Sequence, residues 1–205
     1  ASLPLLYLTE TNKPSPITAP NFCMLLRKHI SGGRIISITQ PKLDRIVHFE
    51  IEHLNELGDT CTKQLTIELM GKHSNIIFRD NDLIIDSIKH VSAQVSSVRE
   101  VLPGRTYFIP ETQEKINPLT VTEQEFTTIL LSKPLPLAKA IYSSLTGISP
   151  ILAEEICFEA GIDSSLPANT VNSTEAVHLF HQFSLLMEPV RQQEFQPTIY
   201  YKEEE

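Results

Sequence analysis

Between Leu65 and Ile88 polar and apolar positions alternate in a regular way, and the rest of the chain is organised around this stretch. Leu65, Ile67 and Leu69 fall on one face of a period-two pattern and Gln64, Thr66 and Glu68 on the other, which predicts a strand with its apolar side buried. Gly71-Lys72-His73-Ser74 follows as a polar turn, with a glycine free to take positive φ. Ile76-Ile77-Phe78 predicts a second strand. Asp80-Asn81-Asp82 turns the chain into a third, Leu83 to Ile88, so the pattern is a β-meander with its polar groups at the turns. On their own, Lys72 and His73 read first as an ordinary basic turn.

Upstream, Leu3 to Thr9 predicts a short strand, followed by a link holding Pro14, Pro16 and Pro20. Phe22, Leu25, Leu26 and Ile30 recur at helical spacing, with Pro20 suited to the first turn and Gly32-Gly33 to a left-handed C-terminal cap. Arg27 and Lys28 lie off the apolar stripe, on a face that reads as solvated or as ligand-binding. Arg34 to Thr39 and Leu43 to Glu52 predict two more strands. In the second, Leu43, Arg45, Val47, Phe49 and Ile51 share a face, which places a guanidinium at the mouth of an apolar stripe. Asp44 points the other way and does not pair with it. An arginine there calls for an anion or carboxylate, because burying it alone is costly. Residues 54–63 predict a mobile hairpin tip, and Pro103-Gly104 a type II turn.

Beyond Pro110 the period changes to helical. Thr122 to Glu125 forms a capping box, and Pro134 and Pro136 end that helix. Leu137 to Leu145 and Ile151 to Ala160 flank Gly147-Ile148-Ser149-Pro150, close to a helix–hairpin–helix pattern with Ser149 at the second glycine. Such a turn either offers amides to a phosphate or simply packs, and Glu154, Glu155 and Glu159 weigh toward packing. Ser173 or Thr174 caps a last helix running to Met187 and stopped by Pro189, and Thr198 to Lys202 predicts the start of a strand. The fold class is therefore α+β, an antiparallel β-rich domain over 1–118 followed by an all-α domain over 119–190, with 191–205 opening a further segment.

Composition narrows the functional classes. With 41% hydrophobic and 20% charged residues in 205 the chain is globular, and no apolar run approaches bilayer length. The opening at Ala1 in mid-pattern suggests an excised piece. Cys23, Cys61 and Cys157 are dispersed, which argues against a disulfide framework or a zinc site and for a reducing compartment. His178 and His181 lack further ligands at metal-binding spacing. The net charge of −8 divides unevenly: residues 1–110 hold 12 Lys+Arg against 11 Asp+Glu, and 111–205 hold 5 against 14. This asymmetry predicts two modules with different faces and does not by itself name a partner.

The stretches NFCMLLRKHISGGRI (21–35), PKLDRIVHFE (41–50), IELMGKHSNIIF (67–78), IKHVSAQVSSVREVLPG (88–104) and GISPILAEEI (147–156) together resemble the NFACT family, which includes ribosome quality-control factors of the RqcH type, also called fibronectin-binding protein A homologues. The resemblance implies an N-terminal domain similar in fold to that of formamidopyrimidine-DNA glycosylases, then a helix–hairpin–helix domain. It also implies a cytoplasmic, ribosome-associated protein that binds a large subunit still holding peptidyl-tRNA. Such a protein recruits alanyl-tRNA for template-free alanine tailing, with no cofactor and no catalysis of its own. The family's Asp-Arg pair, associated with tRNA, matches Asp44-Arg45. Lys28, Lys72, His73 and Arg99 are expected to add backbone contacts. A glycosylase would need an N-terminal Pro-Glu and a four-cysteine zinc finger, which this sequence does not show. An adhesin binding fibronectin is the other alternative.

Overall fold

Helix α1 spans Asn21–Ile30, led by Pro20, whose φ of −60° suits the N-terminus and whose carbonyl accepts from the Met24 amide at 3.1 Å. It belongs to a computed structural model that describes residues 4–110 and 115–198. The helix does not end in the left-handed cap expected. Ser31 is extended, Gly32 has φ +75°, and the Gly33 amide donates to the Ile30 carbonyl at 3.0 Å, which is type II turn geometry. Gly33 is required for a different reason: a Cβ there would stand 2.9 Å from Ile51 Cγ2 and 3.0 Å from the Glu52 carbonyl. Gly33→Ala is expected to destabilise this unit by about 1–3 kcal/mol through overpacking, measured as lost hydrogen-exchange protection in the strand that carries Ile51.

Five strands follow, β1 (Arg34–Thr39), β2 (Ile46–Leu54), β3 (Thr60–Glu68), β4 (Asn75–Asp80) and β5 (Leu83–Ser87), as an antiparallel meander in sequence order. β1 is an edge strand with Ile35, Ile36 and Ile38 exposed, and a bulge between Ile35 and Ser37 leaves Ile36 without a register partner. Register sorts the sheet into two faces. One carries Val47, Phe49, Leu65, Ile67, Ile76 and Phe78, and His29 of α1 lies over Phe78 at 5.8 Å. The other carries Ile46, His48, Thr66, Glu68, Asn75, Ile77, Arg79 and Ile84.

The second face is the better buried, which reverses the expectation for β3. Thr66 is 0% and Glu68 1% exposed, whereas Leu65 and Ile67 are half-buried. Residues 88–110 close over this face. Val91 pairs with Val101, the Gly104 amide donates to Ile84, the Tyr107 amide donates to Asp82, and Val101 and Tyr107 pack on Ile77 and Ile84. The Pro103-Gly104 turn forms as expected, with Gly104 at φ +78° and the Arg105 amide on the Leu102 carbonyl.

Other expectations are corrected. Residues 4–9 form no strand, since no ladder hydrogen bond reaches them among the described residues. Leu43 to Arg45 precede β2 instead of belonging to it, because a turn closed by the Asp44 amide on the Pro41 carbonyl holds them, with Lys42 at φ +51°. The hairpin tip shrinks to 55–59, fixed by the Asn55 side chain accepting from the Leu57 and Asp59 amides. Of the proposed strand at 198–202, residues 199–202 lie outside the described residues, and Thr198 is not in a strand.

Compact units divide between Thr112 and Gln113. In the second, α2 (Glu123–Leu131), α3 (Leu137–Ser144), α4 (Pro150–Glu159) and α5 (Ser173–Arg191) surround a core that includes Phe126, Leu137, Ile141, Ile156, Leu179 and Phe183. The Thr122–Glu125 capping box forms. α5 has an equivalent box, but its N-cap is Asn172, one residue before the expected start, and the helix runs through Pro189 to Arg191. Proline so near the end removes one amide and does not stop the last turn, where the Gln192 amide still reaches the Glu188 carbonyl. Between α3 and α4, Ser149 caps α4 by accepting from the Leu152 amide at 3.1 Å.

Candidate nucleic-acid interface

The sequence-predicted residues separate into three places. Asp44 and Arg45 sit where the chain enters β2, and the Arg45 carbonyl accepts from the Leu69 amide at 2.8 Å, which ties them to the end of β3. The next turn, at the same end of the sheet, carries Lys72 and His73, both exposed. It is rigid: the Ser74 hydroxyl accepts from the Met70 amide at 2.9 Å and donates to the Gly71 carbonyl at 2.7 Å. Lys28 does not join them. It lies toward the 55–59 tip at the opposite end, 3.7 Å from Glu56, beside a cavity of about 470 Å³ that His29, His53, Cys61 and Lys63 also line.

Arg99 is internal. Its guanidinium donates to both Glu68 carboxylate oxygens, to Oε1 at 2.6 Å, and to the Phe108 carbonyl at 2.8 Å, with side chains 12% and 2% exposed. Its expected backbone contact is therefore replaced by a structural ion pair, because the loop carrying it folds onto the polar sheet face. Tyr107 donates to Glu68 Oε1 at 3.0 Å, and the Arg79 and Arg99 guanidinia stand 4.7 and 5.4 Å from its ring centroid. Burial, and then the Glu68 carboxylate, push the Tyr107 hydroxyl well above its usual pKa. Burial works against charge on Arg99, but the hydrogen bonds and charge of Glu68 outweigh it and raise its pKa. Arg79, which can only donate, gives Nε to the Thr66 hydroxyl at 3.0 Å and Nη2 to His48 Nδ1 at 3.4 Å, and the Thr66 hydroxyl lies 2.9 Å from that same nitrogen. His48 Nδ1 is thus an acceptor, in keeping with burial and the Arg79 charge, which lower its pKa.

Arg45 differs from these. It is exposed, it stands outside the apolar stripe where it was expected, and among the described residues its side chain meets no carboxylate. Six cations of this unit are paired: Lys28, Arg34, Lys63, Arg79, Arg99 and Arg105. Of the remaining six, Lys13 and Arg27 lie elsewhere in the chain. Lys42, Arg45, Lys72 and Lys89 all sit at the sheet end defined by the start of β2, the β3–β4 turn and the end of β5. Lys89 was not singled out by sequence reasoning. Its position depends on Asn75 fourteen residues earlier, a contact that no local pattern announces. Among the described residues no group of three or more His, Cys, Asp or Glu side chains is placed to hold a metal, and no helix is long and apolar enough to cross a membrane. His178 and His181 are solvent-exposed.

Fold and surface together describe an α+β protein with a cationic sheet end. The family model for NFACT N-terminal and middle domains matches residues 1–205, and the chain belongs to that family. It is 43% identical over 158 residues to the Rqc2 homolog RqcH of Bacillus subtilis, covering 76% of this chain and 28% of that protein. It is 32% identical over 163 residues to the archaeal Rqc2 homolog aRqcH of Methanocaldococcus jannaschii, covering 77% and 23%. The chain thus spans about a quarter of the length of these relatives. Among solved structures, the fibrinogen-binding protein from Staphylococcus aureus matches with a TM-score of 0.68 at 33% identity, over 83% of this chain and 58% of that one. The N-terminal part of the fibronectin/fibrinogen-binding protein from Streptococcus suis matches with 0.65 at 32%, over 86% and 62%.

Proposed function

We propose that this chain is the tRNA-engaging part of a ribosome-associated quality-control factor that acts in the cytoplasm without catalysing bond cleavage. In this reading the whole protein binds a large ribosomal subunit that still holds peptidyl-tRNA and recruits alanyl-tRNA for template-free alanine tailing. The observation that carries the reading is Arg45, exposed at the cationic sheet end and without a carboxylate partner among the described residues. A planar guanidinium so placed suits a phosphate or a base edge. Relatives named as Rqc2 homologs and, at lower identity, as the ribosome quality control complex subunit NEMF of Homo sapiens support it. The α3–α4 hairpin is taken as a helix–hairpin–helix that packs rather than binds, since Glu154, Glu155 and Glu159 are exposed along α4 and Ser149 already occupies the Leu152 amide.

The test is tRNA affinity of the full-length protein. Arg45→Ala is expected to weaken binding by roughly 1–3 kcal/mol if the contact is bidentate to a base. A phosphate contact gives a smaller loss and a shallower salt dependence. Unchanged affinity in a folded variant overturns the assignment. The names of the two solved structures, a fibronectin/fibrinogen-binding protein and a fibrinogen-binding protein, carry a second reading, a surface adhesin that binds fibronectin. Cell fractionation separates the two, with ribosomal fractions favouring the first and cell-wall fractions the second.

A further inference from the structure

Beside Arg45, Lys72 and His73, the cationic sheet end carries Lys42 and Lys89. Lys89 follows β5, and three hydrogen bonds fix its backbone. Asn75 Nδ2 donates to the Lys89 carbonyl at 2.9 Å, the Lys89 amide donates to Asn75 Oδ1 at 3.0 Å, and the Ser87 hydroxyl donates to the same carbonyl at 2.9 Å. Asn75 and Ser87 are each 4% exposed, so the clamp belongs to the sheet interior and not to the surface. The ammonium donates to the Lys72 carbonyl at 3.2 Å, which joins the end of β5 to the turn carrying Lys72 and His73. On the Arg45 side, Lys42 is held at φ +51°, and the Gln40 side chain donates to the Asp44 carbonyl at 2.7 Å. A lysine held at positive φ occupies a conformation L-residues seldom adopt.

Three connections therefore present their cations at one end of a sheet, each braced by its own hydrogen bonds. The acids nearby are largely engaged: Glu68 by Arg99 and Tyr107, and Asp86 by His90 at 2.6 Å. Within these three connections Asp44 is the remaining carboxylate, half-buried beside Arg45. Cations on backbone-braced connections, without a carboxylate partner among the described residues, suit successive phosphates of a nucleic-acid backbone, where neutralised charge releases counterions.

We infer that Lys89 and Lys42 hold phosphates of the same RNA that Arg45 engages, with buried Asn75 as the positioning residue for Lys89. The inference rests on the reading of Arg45 given above and adds the residues that set the electrostatic part of binding.

The experiment uses the full-length protein and a labelled tRNA titrated over a range of potassium chloride concentrations. Lys89→Ala and Lys42→Ala are each expected to lower the slope of log K against log salt by about 0.7–0.9, equally for different tRNAs. Arg34→Ala, whose side chain is paired with Glu52 at 2.8 Å, serves as a control and leaves the slope unchanged. Asn75→Ala is expected to reproduce the Lys89→Ala slope and to add nothing when combined with it, which a general loss of stability would not do. Should Asn75→Ala fail to fold, the two lysine variants still decide the matter. If Arg45→Ala weakens binding while both lysine variants keep the wild-type slope, the inference is overturned and the role of Arg45 stands. If Arg45→Ala is itself without effect, the functional reading falls and the inference falls with it.

Discussion

Glu68→Ala is expected to cost the sheet unit about 3–5 kcal/mol, the range for breaking a buried ion pair from one side. The loss comes less from the missing attraction than from what is left behind. Arg99, 12% exposed, would keep its charge with only the Phe108 carbonyl to accept from it, and the Tyr107 hydroxyl would lose its acceptor. Hydrogen exchange is the suitable measurement, since it reads local opening in one unit of a chain that has two. Amides of Val91 and Val101, which bridge across the covering loop, should lose protection by roughly a hundredfold or more. Arg99→Met alone should also destabilise. Glu68→Ala combined with Arg99→Met should cost less than those two single changes added together, because the double variant leaves no orphaned charge. Additive losses would mean that the pair is not coupled and that the loop is held by its apolar contacts alone.

Phe183→Ala should be comparably severe in the helical unit. Phe183 is 0% exposed and stacks on Phe126 at 4.9 Å, with Phe180 5.9 Å away. Truncating a buried phenylalanine typically costs about 3–5 kcal/mol, part of it for the cavity left behind. Here that cavity would open between α2 and α5, so exchange protection should fall in both helices and not only around the substituted turn. Phe180→Ala, at a partly buried position of the same aromatic group, should cost distinctly less. Equal losses would show that the cluster behaves as one unit regardless of burial.

Much of this architecture can be read from local pattern. α1, the meander from β3 to β5, the Pro103-Gly104 turn and the Thr122–Glu125 box depend on periodicity or on residues three or four apart. The failures share a physical origin in contacts made across long stretches of chain. Thr66 and Glu68 look like a solvent face until Arg99 and Tyr107, 31 and 39 residues away from Glu68, fold over them. Arg45 looks like a strand residue because alternation continues through it, yet the Pro41–Asp44 turn holds the chain out of the ladder until Ile46. Of the candidate site, Asp44, Arg45, Lys72 and His73 were legible as residues, but their common location follows only from register. Lys28 and Arg99 shared the right chemistry and stand elsewhere.

The bulge in β1 bears on how this molecule avoids sticking to its own copies. A straight outer strand displaying three isoleucines offers another chain both a ladder and a greasy surface to add to, the usual seed of amyloid-like growth. At Ile36 the ladder skips a residue and the ribbon twists, so a second strand could follow it for only a few residues before losing register. The backbone irregularity at this border thus works against strand addition, and straightening it by deleting Ile36 is expected to promote self-association while leaving the net charge unchanged.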